Sequence, residues 1–203
     1  LRCGAGAKLK AVAVEAKRHA LTGVEFLEGI PGSVGGALRM NAGAMGGATF
    51  DAVESIRVMN HHGVALELLP GEFDVEYRCC PILKTHVALG AVFKCRQSSR
   101  EEVEQRMNAF SQKRWSSQPA APSAGCMFKN PPQCPAGKLI DELGLKGTRV
   151  GGAVVSQEHG NFIVNDRDAT AHDVLELIAV LKARVKAERG IELHTEVEII
   201  GED

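Results

Sequence analysis

The chain has 203 residues, 44% of them hydrophobic, and sets 24 Lys+Arg against 25 Asp+Glu for a formal net charge of -1. That size and apolar content support one large domain or two small ones around a buried core, while the balanced charge leaves no basic stripe for a nucleic-acid backbone. No apolar run approaches the roughly 20 residues needed to cross a bilayer, six cysteines including the adjacent Cys79 and Cys80 fit a reducing, cytoplasmic setting, and no C-x-x-C, H-x-x-x-H or H-E-x-x-H spacing offers a metal site.

Leu1 to Gly4 reads as the end of a strand and, without an initiating methionine, is expected to follow an upstream segment. Between Ala7 and Ala20, the positions Leu9, Val12, Val14 and Ala16 among Lys and Glu predict an amphipathic helix. Residues 23–47, GVEFLEGIPGSVGGALRMNAGAMGG, hold eight glycines and few charges, too apolar for a flexible linker. They predict an ordered backbone wrapped around something. Alternation near Val53–Met59, Val64–Leu69 and Val87–Cys95 predicts strands, the first two joined through His61-His62-Gly63 as a hairpin. Val103, Met107, Phe110 and Arg114 give a helix over Arg100–Trp115, and Gln118-Pro119 and Ala121-Pro122 break any helical continuation past Trp115, which places a domain boundary near residue 116.

Beyond that boundary the pattern predicts a loop, a short helix Pro135–Leu143, strands near Arg149–Val155 and Asn161–Asn165, and a long helix opening at Thr170. Thr170 and Asp173 make a capping-box start, Val174, Leu177, Ile178, Leu181 and Val185 form one stripe, and Gly190 stops the helix. Ile191, Leu193, Val197 and Ile199 alternate with Glu192, His194, Glu196 and Glu198, a pattern for a last strand with one buried face. Helices and strands in no strict alternation indicate an α+β fold.

The glycine run matches neither a Walker loop nor a G-x-G-x-x-G fingerprint. In Ile30-Pro31-Gly32-Ser33-Val34-Gly35-Gly36 the missing side chains let backbone N–H groups approach a phosphate or the edge of a flat ring, although plain turn glycines explain the stretch equally well. Asn41-Ala42-Gly43 then offers an amide between small residues. Arg78, after Tyr77 in a polar loop, suits a two-point clamp on a carboxylate, or is a surface arginine. Cys126 stands between small residues in PSAGCMFKNP, an unusual setting for a buried structural thiol. Glu196 lies on the polar face of the last strand, where a solvated carboxylate is equally in keeping.

Taken in order and spacing, GVEFLEGIPGSVGGALRMNAGAMGG, YR at 77–78, PSAGCMFKNP, AGKLIDELGLKG, GGAVVS, HGNFIVN, ATAHDV and EVEIIG resemble UDP-N-acetylenolpyruvoylglucosamine reductase over nearly the whole chain. The likeness is to the shorter subtype, since no tyrosine-bearing insertion follows Arg78. It implies noncovalent FAD, NADPH as hydride donor, and reduction of UDP-N-acetylenolpyruvoylglucosamine to UDP-N-acetylmuramate for peptidoglycan. By the same resemblance Ile30 to Gly36 and Asn41, Ala42 and Gly43 line the flavin and its phosphates, Arg78 holds the enolpyruvyl carboxylate, and Glu196 sits near that group. Cys126 takes the place of a serine that protonates the carbon next to the carboxylate; a thiol with a pKa of about 8.5 is the better acid. Asn130 matches a substrate contact with Lys129 beside it, Gln118 and His159 face the UDP-sugar, and Lys138 adds charge for the diphosphate.

The resemblance also implies a layout: residues 1–115 as the second part of a two-part FAD-binding domain, 116–190 as a smaller α+β substrate-binding domain, and 191–203 as a strand returning to the flavin domain. A GGGSN-like loop that opens the family is absent, so the chain is expected to lack an N-terminal segment. Two rival readings are a different flavin oxidoreductase of the same broad fold and a catalytically inert UDP-sugar-binding fragment. No oligomeric state is specified.

Overall fold

A computed structural model describes residues 1–201. They fall into two compact units, Leu1–Arg114 and the residues from Trp115 on. Every strand pair among the described residues is antiparallel, with helices placed between strands in no regular order, as an α+β fold requires.

The first unit is built on a four-stranded sheet of β1 (Arg2–Gly4), β5 (Val53–Met59), β6 (Ala65–Leu68) and β7 (Val87–Phe93), in the order β1-β7-β5-β6. Ile56 faces Leu68 and Arg57 faces Glu67 across the β5–β6 hairpin, whose turn is closed by Asn60. Burial on β5 does not alternate strictly, because register shifts against β7 at Val53/Ser55 and Arg57/Val58 turn Ser55 and Ile56 inward together. Helix α1 (Leu9–Arg18) buries Leu9, Val12, Ala13 and Ala16, and α3 (Arg100–Trp115) contributes Val103 and Met107 to the same core. The short pair β2 (Leu21–Thr22) and β8 (Arg96–Gln97) is fixed by buried Glu25, which accepts from Thr22 Oγ1 at 2.5 Å and from the Gly23 N–H at 2.7 Å.

The glycine-rich stretch is more structured than its composition implies. It contains a single 3₁₀ turn at Glu25–Leu27, helix α2 (Val34–Arg39), and a tight hairpin of β3 (Gly43–Ala44) with β4 (Gly47–Ala48). Two adjacent glycines give α2 poor intrinsic propensity. Burial of Val34, Ala37 and Leu38 holds it instead.

The second unit has its own sheet, ordered β10-β11-β12-β9, of β9 (Ser123–Cys126), β10 (Arg149–Val150), β11 (Ala153–Val155) and β12 (Phe162–Asn165). Helices α4 (Ala136–Glu142) and α5 (Ala171–Arg189) pack Leu139, Ile140, Leu177, Leu181 and Val185 into its core. The capping box at Thr170 forms as expected, with Asp173 N donating to Thr170 Oγ1 at 3.1 Å and Thr170 N to Asp173 Oδ2 at 3.0 Å, and Gly190 ends α5 at φ +66°.

Two expectations need correction. Ser123–Cys126 is a strand, not loop, because it pairs with β12. The segment expected as a strand over 191–203 and assigned to the flavin domain clusters instead with the second unit, and its described part forms no strand. Leu193 is 1% exposed within that unit's core, and the segment pairs with residues 127–129 only through the isolated Phe128–Thr195 bridge, whose bonds are Lys129 N–H to His194 O at 2.9 Å and Glu196 N–H to Met127 O at 2.8 Å, among the described residues. Past it Ile200 is 90% exposed.

Candidate functional site

In the first unit the residues expected at a cofactor surface come together through the backbone. Leu9 N donates to Gly32 O at 3.1 Å, Val34 N to Ala7 O at 2.9 Å and Gly35 N to Ala5 O at 2.8 Å, so residues 5–9 and 32–35 run side by side. Val34 and Gly35 spend their N–H groups there, Ile30 donates to Leu27 O at 3.2 Å, and Pro31 has none, so these bonds take up the N–H groups on either side of Gly32 and Ser33 and not those two themselves. The stretch presents bareness. A Cβ built on Gly4, Gly6 or Gly32 meets no atom within 4 Å, whereas one on Gly35 would stand 3.2 Å from Ala5 Cβ, so a glycine there lets the two segments approach. Gly4 and Gly6 were not singled out by sequence, although the string CGAGA ahead of a helix carries the signal.

The Asn41 amide is likewise turned inward: Oδ1 accepts from Phe50 N at 3.2 Å and Nδ2 donates to Glu76 O at 3.1 Å. This second bond fixes the turn on which Arg78 sits, because Glu76 and Cys79 exchange backbone bonds of 2.8 and 3.2 Å across Tyr77-Arg78. Arg78 takes a left-handed φ of +56°, a conformation that costs about 1–2 kcal/mol for a residue with a Cβ. Its guanidinium lies 5.0 Å from the Tyr77 ring centroid and reaches Asn41 O at 3.5 Å and Gly43 O at 3.4 Å. Both bonds are at the long end of the range, so a carboxylate would compete well for these donors. Gly43 is required at this point, since a Cβ there would stand 2.7 Å from Gly47 O and 3.0 Å from Arg78 Nη1.

In the second unit a cavity of about 280 Å³ is lined by Cys126, Asn130, Lys138, Lys146, His159 and Asn161 among others. Four of the sequence-predicted residues thus share one space. Asn130 Oδ1 accepts the Ala136 N–H at 3.0 Å and satisfies an orphan donor at the start of α4. Close approach of α4 to residues 159–161 depends on Gly137, where a Cβ would meet His159 Cε1 at 2.9 Å, and on Gly160, where one would meet Gly137 O at 2.5 Å. Burial holds the His159 pKa below its ordinary value, and nearby Lys146 acts in the same direction. Its ring stacks edge-on to Phe162 with centroids 4.9 Å apart. Lys138 pairs with Glu142 at 3.6 Å and Lys146 with Asp141 at 2.8 Å, which leaves both ammonium groups at the cavity wall.

Glu196 is tied to the strand of Cys126 through its backbone, its N–H donating to Met127 O at 2.8 Å. Gln118, Lys129 and Glu196 do not line the cavity among the described residues, and Arg78 belongs to the first unit. Lys146 and Asn161 went unassigned by sequence reasoning, although both lie in strings, AGKLIDELGLKG and HGNFIVN, that it marked.

Comparison with known proteins bears on both units. Residues 118–200 match the C-terminal domain model of UDP-N-acetylenolpyruvoylglucosamine reductase, and residues 1–69 match the FAD binding domain. The UDP-N-acetylenolpyruvoylglucosamine reductase of Syntrophomonas wolfei is 41% identical over 201 residues, covering 98% of this chain and 67% of that protein. That of Clostridium novyi is 44% identical over 200 residues, covering 98% and 65%. The crystal structure of UDP-N-acetylenolpyruvylglucosamine reductase from Thermus caldophilus matches with a TM-score of 0.87 at 43% identity, over 98% of this chain and 71% of that one. The chain spans about two thirds of the length of the curated relatives it matches.

Proposed function

The chain belongs to the UDP-N-acetylenolpyruvoylglucosamine reductase family, and from that premise we propose that it carries out, with FAD and NADPH, the reduction of UDP-N-acetylenolpyruvoylglucosamine to UDP-N-acetylmuramate for peptidoglycan. The observation that carries this reading is the cavity of the second unit, where Cys126, Asn130, Lys138 and His159, scattered over more than thirty positions of sequence, line one space. It combines two cations, an imidazole and a proton donor with the carboxylates of Asp141, which Lys146 pairs, and Glu158, a set that supports the reading of a diphosphate-linked sugar bearing an enol ether.

The first unit supplies a fit for the cofactor: over Gly4, Gly6 and Gly32 a flat ring or a phosphate chain meets no side chain. Residues 30–36 and 41–43 would hold FAD there, and the cofactor would supply hydride transfer. The remaining work falls to the protein's own groups. The Arg78 guanidinium, whose bonds to Asn41 O and Gly43 O are long, takes a two-point grip on the enolpyruvyl carboxylate. Cys126 Sγ delivers the proton to the carbon beside that carboxylate, Glu196 steadies charge in the same region, and Lys138 with Lys146 offsets the diphosphate.

Replacing Cys126 separates this chemistry from binding. Cys126→Ala is expected to slow consumption of the enolpyruvyl substrate by about 10³-fold, with bleaching of the flavin by NADPH unchanged, and Cys126→Ser to recover much of the loss. Wild-type substrate turnover in Cys126→Ala sinks the assignment.

A further inference from the structure

Asn161 lines the cavity, is 2% exposed, and commits all four of its polar groups to Met127, Phe128 and His159. Its Oδ1 accepts from the Phe128 N–H at 2.9 Å and its Nδ2 donates to Phe128 O at 2.7 Å. Its backbone O accepts from Met127 N at 2.8 Å, and its backbone N donates to His159 Nδ1 at 3.1 Å. The ladder between β9 and β12 registers Cys126 against Phe162 and is irregular there. Just beyond Cys126 the Asn161 side chain supplies the rung that a strand neighbour would otherwise provide. The opposite edge of the same stretch carries the terminal segment, through the Phe128–Thr195 bridge and the Glu196 N–H to Met127 O bond.

We infer that Asn161 is a positioning residue that holds three functional groups in register at once. It clamps the two residues after Cys126 and so fixes the height of the thiol. By locking Met127 it fixes the carbonyl from which Glu196 hangs. By donating to Nδ1 of His159 it forces the neutral imidazole to carry its proton on Nε2, so that the ring presents a donor, not an acceptor, on its far side. One residue, with its side-chain amide on Phe128 and its own backbone N–H and C=O on His159 and Met127, explains why these groups need no contact with one another to stay aligned. An aspartate cannot replace it, since its carboxylate would accept from Phe128 N–H and repel Phe128 O.

The inference rests on the reductase reading for Cys126 and Glu196, and its test separates the two. In the flavin-loaded protein, Asn161→Leu and Asn161→Ser are expected to lower turnover of the enolpyruvyl substrate by about 100-fold. Flavin reduction by NADPH should stay within about twofold and the Kd for UDP-N-acetylglucosamine within about threefold. Val185→Ala, which empties part of the same unit's core without touching this strand, serves as the control matched for lost stability. Turnover in Asn161→Leu and Asn161→Ser that merely tracks the folded fraction, as in Val185→Ala, overturns the positioning role. Two measurements need no turnover. The rate of iodoacetamide labelling at the Cys126 peptide should change at least fivefold in Asn161→Ser while that at Cys134 does not, and ¹⁵N spectra of the wild type should show His159 protonated on Nε2. An unchanged Cys126 rate or an Nδ1–H tautomer defeats the inference even where the wild type reduces no enolpyruvyl substrate, an outcome that would defeat the reductase reading alone.

Discussion

In the first unit the candidate surface is defined by atoms that are absent. Gly4, Gly6 and Gly32 open onto empty space, and the N–H groups of Leu9, Val34 and Gly35 hold residues 5–9 against 32–35. In the second unit the candidate site is defined by atoms that are present: Cys126 on β9, Lys138 on α4, and Asn130, Lys146 and His159 on the intervening loops line one cavity, with α4 and residues 159–161 packed at glycine distance. A planar cofactor needs shape, which backbone supplies at little desolvation cost, whereas a charged substrate undergoing proton transfer needs titratable groups at fixed heights. The consequence for substitution is opposite in sign. Adding a methyl group damages the first surface, and deleting or discharging a group damages the second.

The largest expected effect is at the point where the first unit does carry a side chain. In Gly43→Ala the new Cβ falls 2.7 Å from Gly47 O, a backbone atom of the β3–β4 hairpin that must shift, and 3.0 Å from Arg78 Nη1, which can swing away only by leaving Gly43 O and Asn41 O. A loss of about 2–3 kcal/mol in urea unfolding is expected, together with a rise in KM for the enolpyruvyl substrate as Arg78 is pushed off its turn. Wild-type stability would mean that the hairpin adapts and that crowding does not govern this surface.

A smaller effect probes the second unit by discharge. Burial keeps the His159 pKa below its ordinary 6.5, so the unfolded chain takes up a proton there before the folded one does. Stability from this group is therefore complete above about pH 6.5 and declines as the pH falls through that value. Glu25 and Asp173, whose folded pKa values are also lowered, contribute in the same sense only below their ordinary 4.5 and 3.8, so the windows separate. Burial alone would raise Glu25, but bonds from Thr22 and from backbone N–H groups, with the Arg106 charge, outweigh it. The urea midpoint should drop between about pH 7.5 and 5.5, and His159→Gln, which keeps an acceptor for Asn161 N–H, should flatten that drop. A slope that survives the substitution assigns it to another histidine.

How far the sequence spoke differed between the units for the same reason. Helix α5 was readable from its capping box, its stripe of Leu177, Ile178, Leu181 and Val185, and Gly190, since each signal is local. Strand β5 was readable from its apolar pattern, with bounds at Val53 and Met59. Helix α2 was not, because Gly35 and Gly36 argue against a helix and only the burial of Val34, Ala37 and Leu38 argues for one. The terminal segment misled in the other direction: its alternation is real, but a strand also needs a partner edge, and no local pattern reports how long that edge is. Site residues divide likewise. The resemblance drew attention to Cys126 and Asn130, whereas Asn161 acts through Phe128 and Met127, contacts that no spacing within HGNFIVN encodes.

The last prediction is nearly silent for the fold, which gives it its force. Gly6 has no left-handed φ, and a Cβ there meets nothing within 4 Å, so Gly6→Ala introduces neither strain nor overlap. Fewer conformations in the unfolded chain should leave stability unchanged or raised by about 0.5 kcal/mol. If the bare surface is where the flavin lies, the same methyl group stands in the cofactor's place. Fluorescence titration should then show FAD binding weakened by about tenfold, some 1.4 kcal/mol. Lower stability with unchanged FAD affinity would make Gly6 an ordinary structural glycine. Unchanged stability with unchanged affinity would show that the open space over residues 4–6 is solvent, and the division between a site made of backbone and one made of side chains would lose its first half.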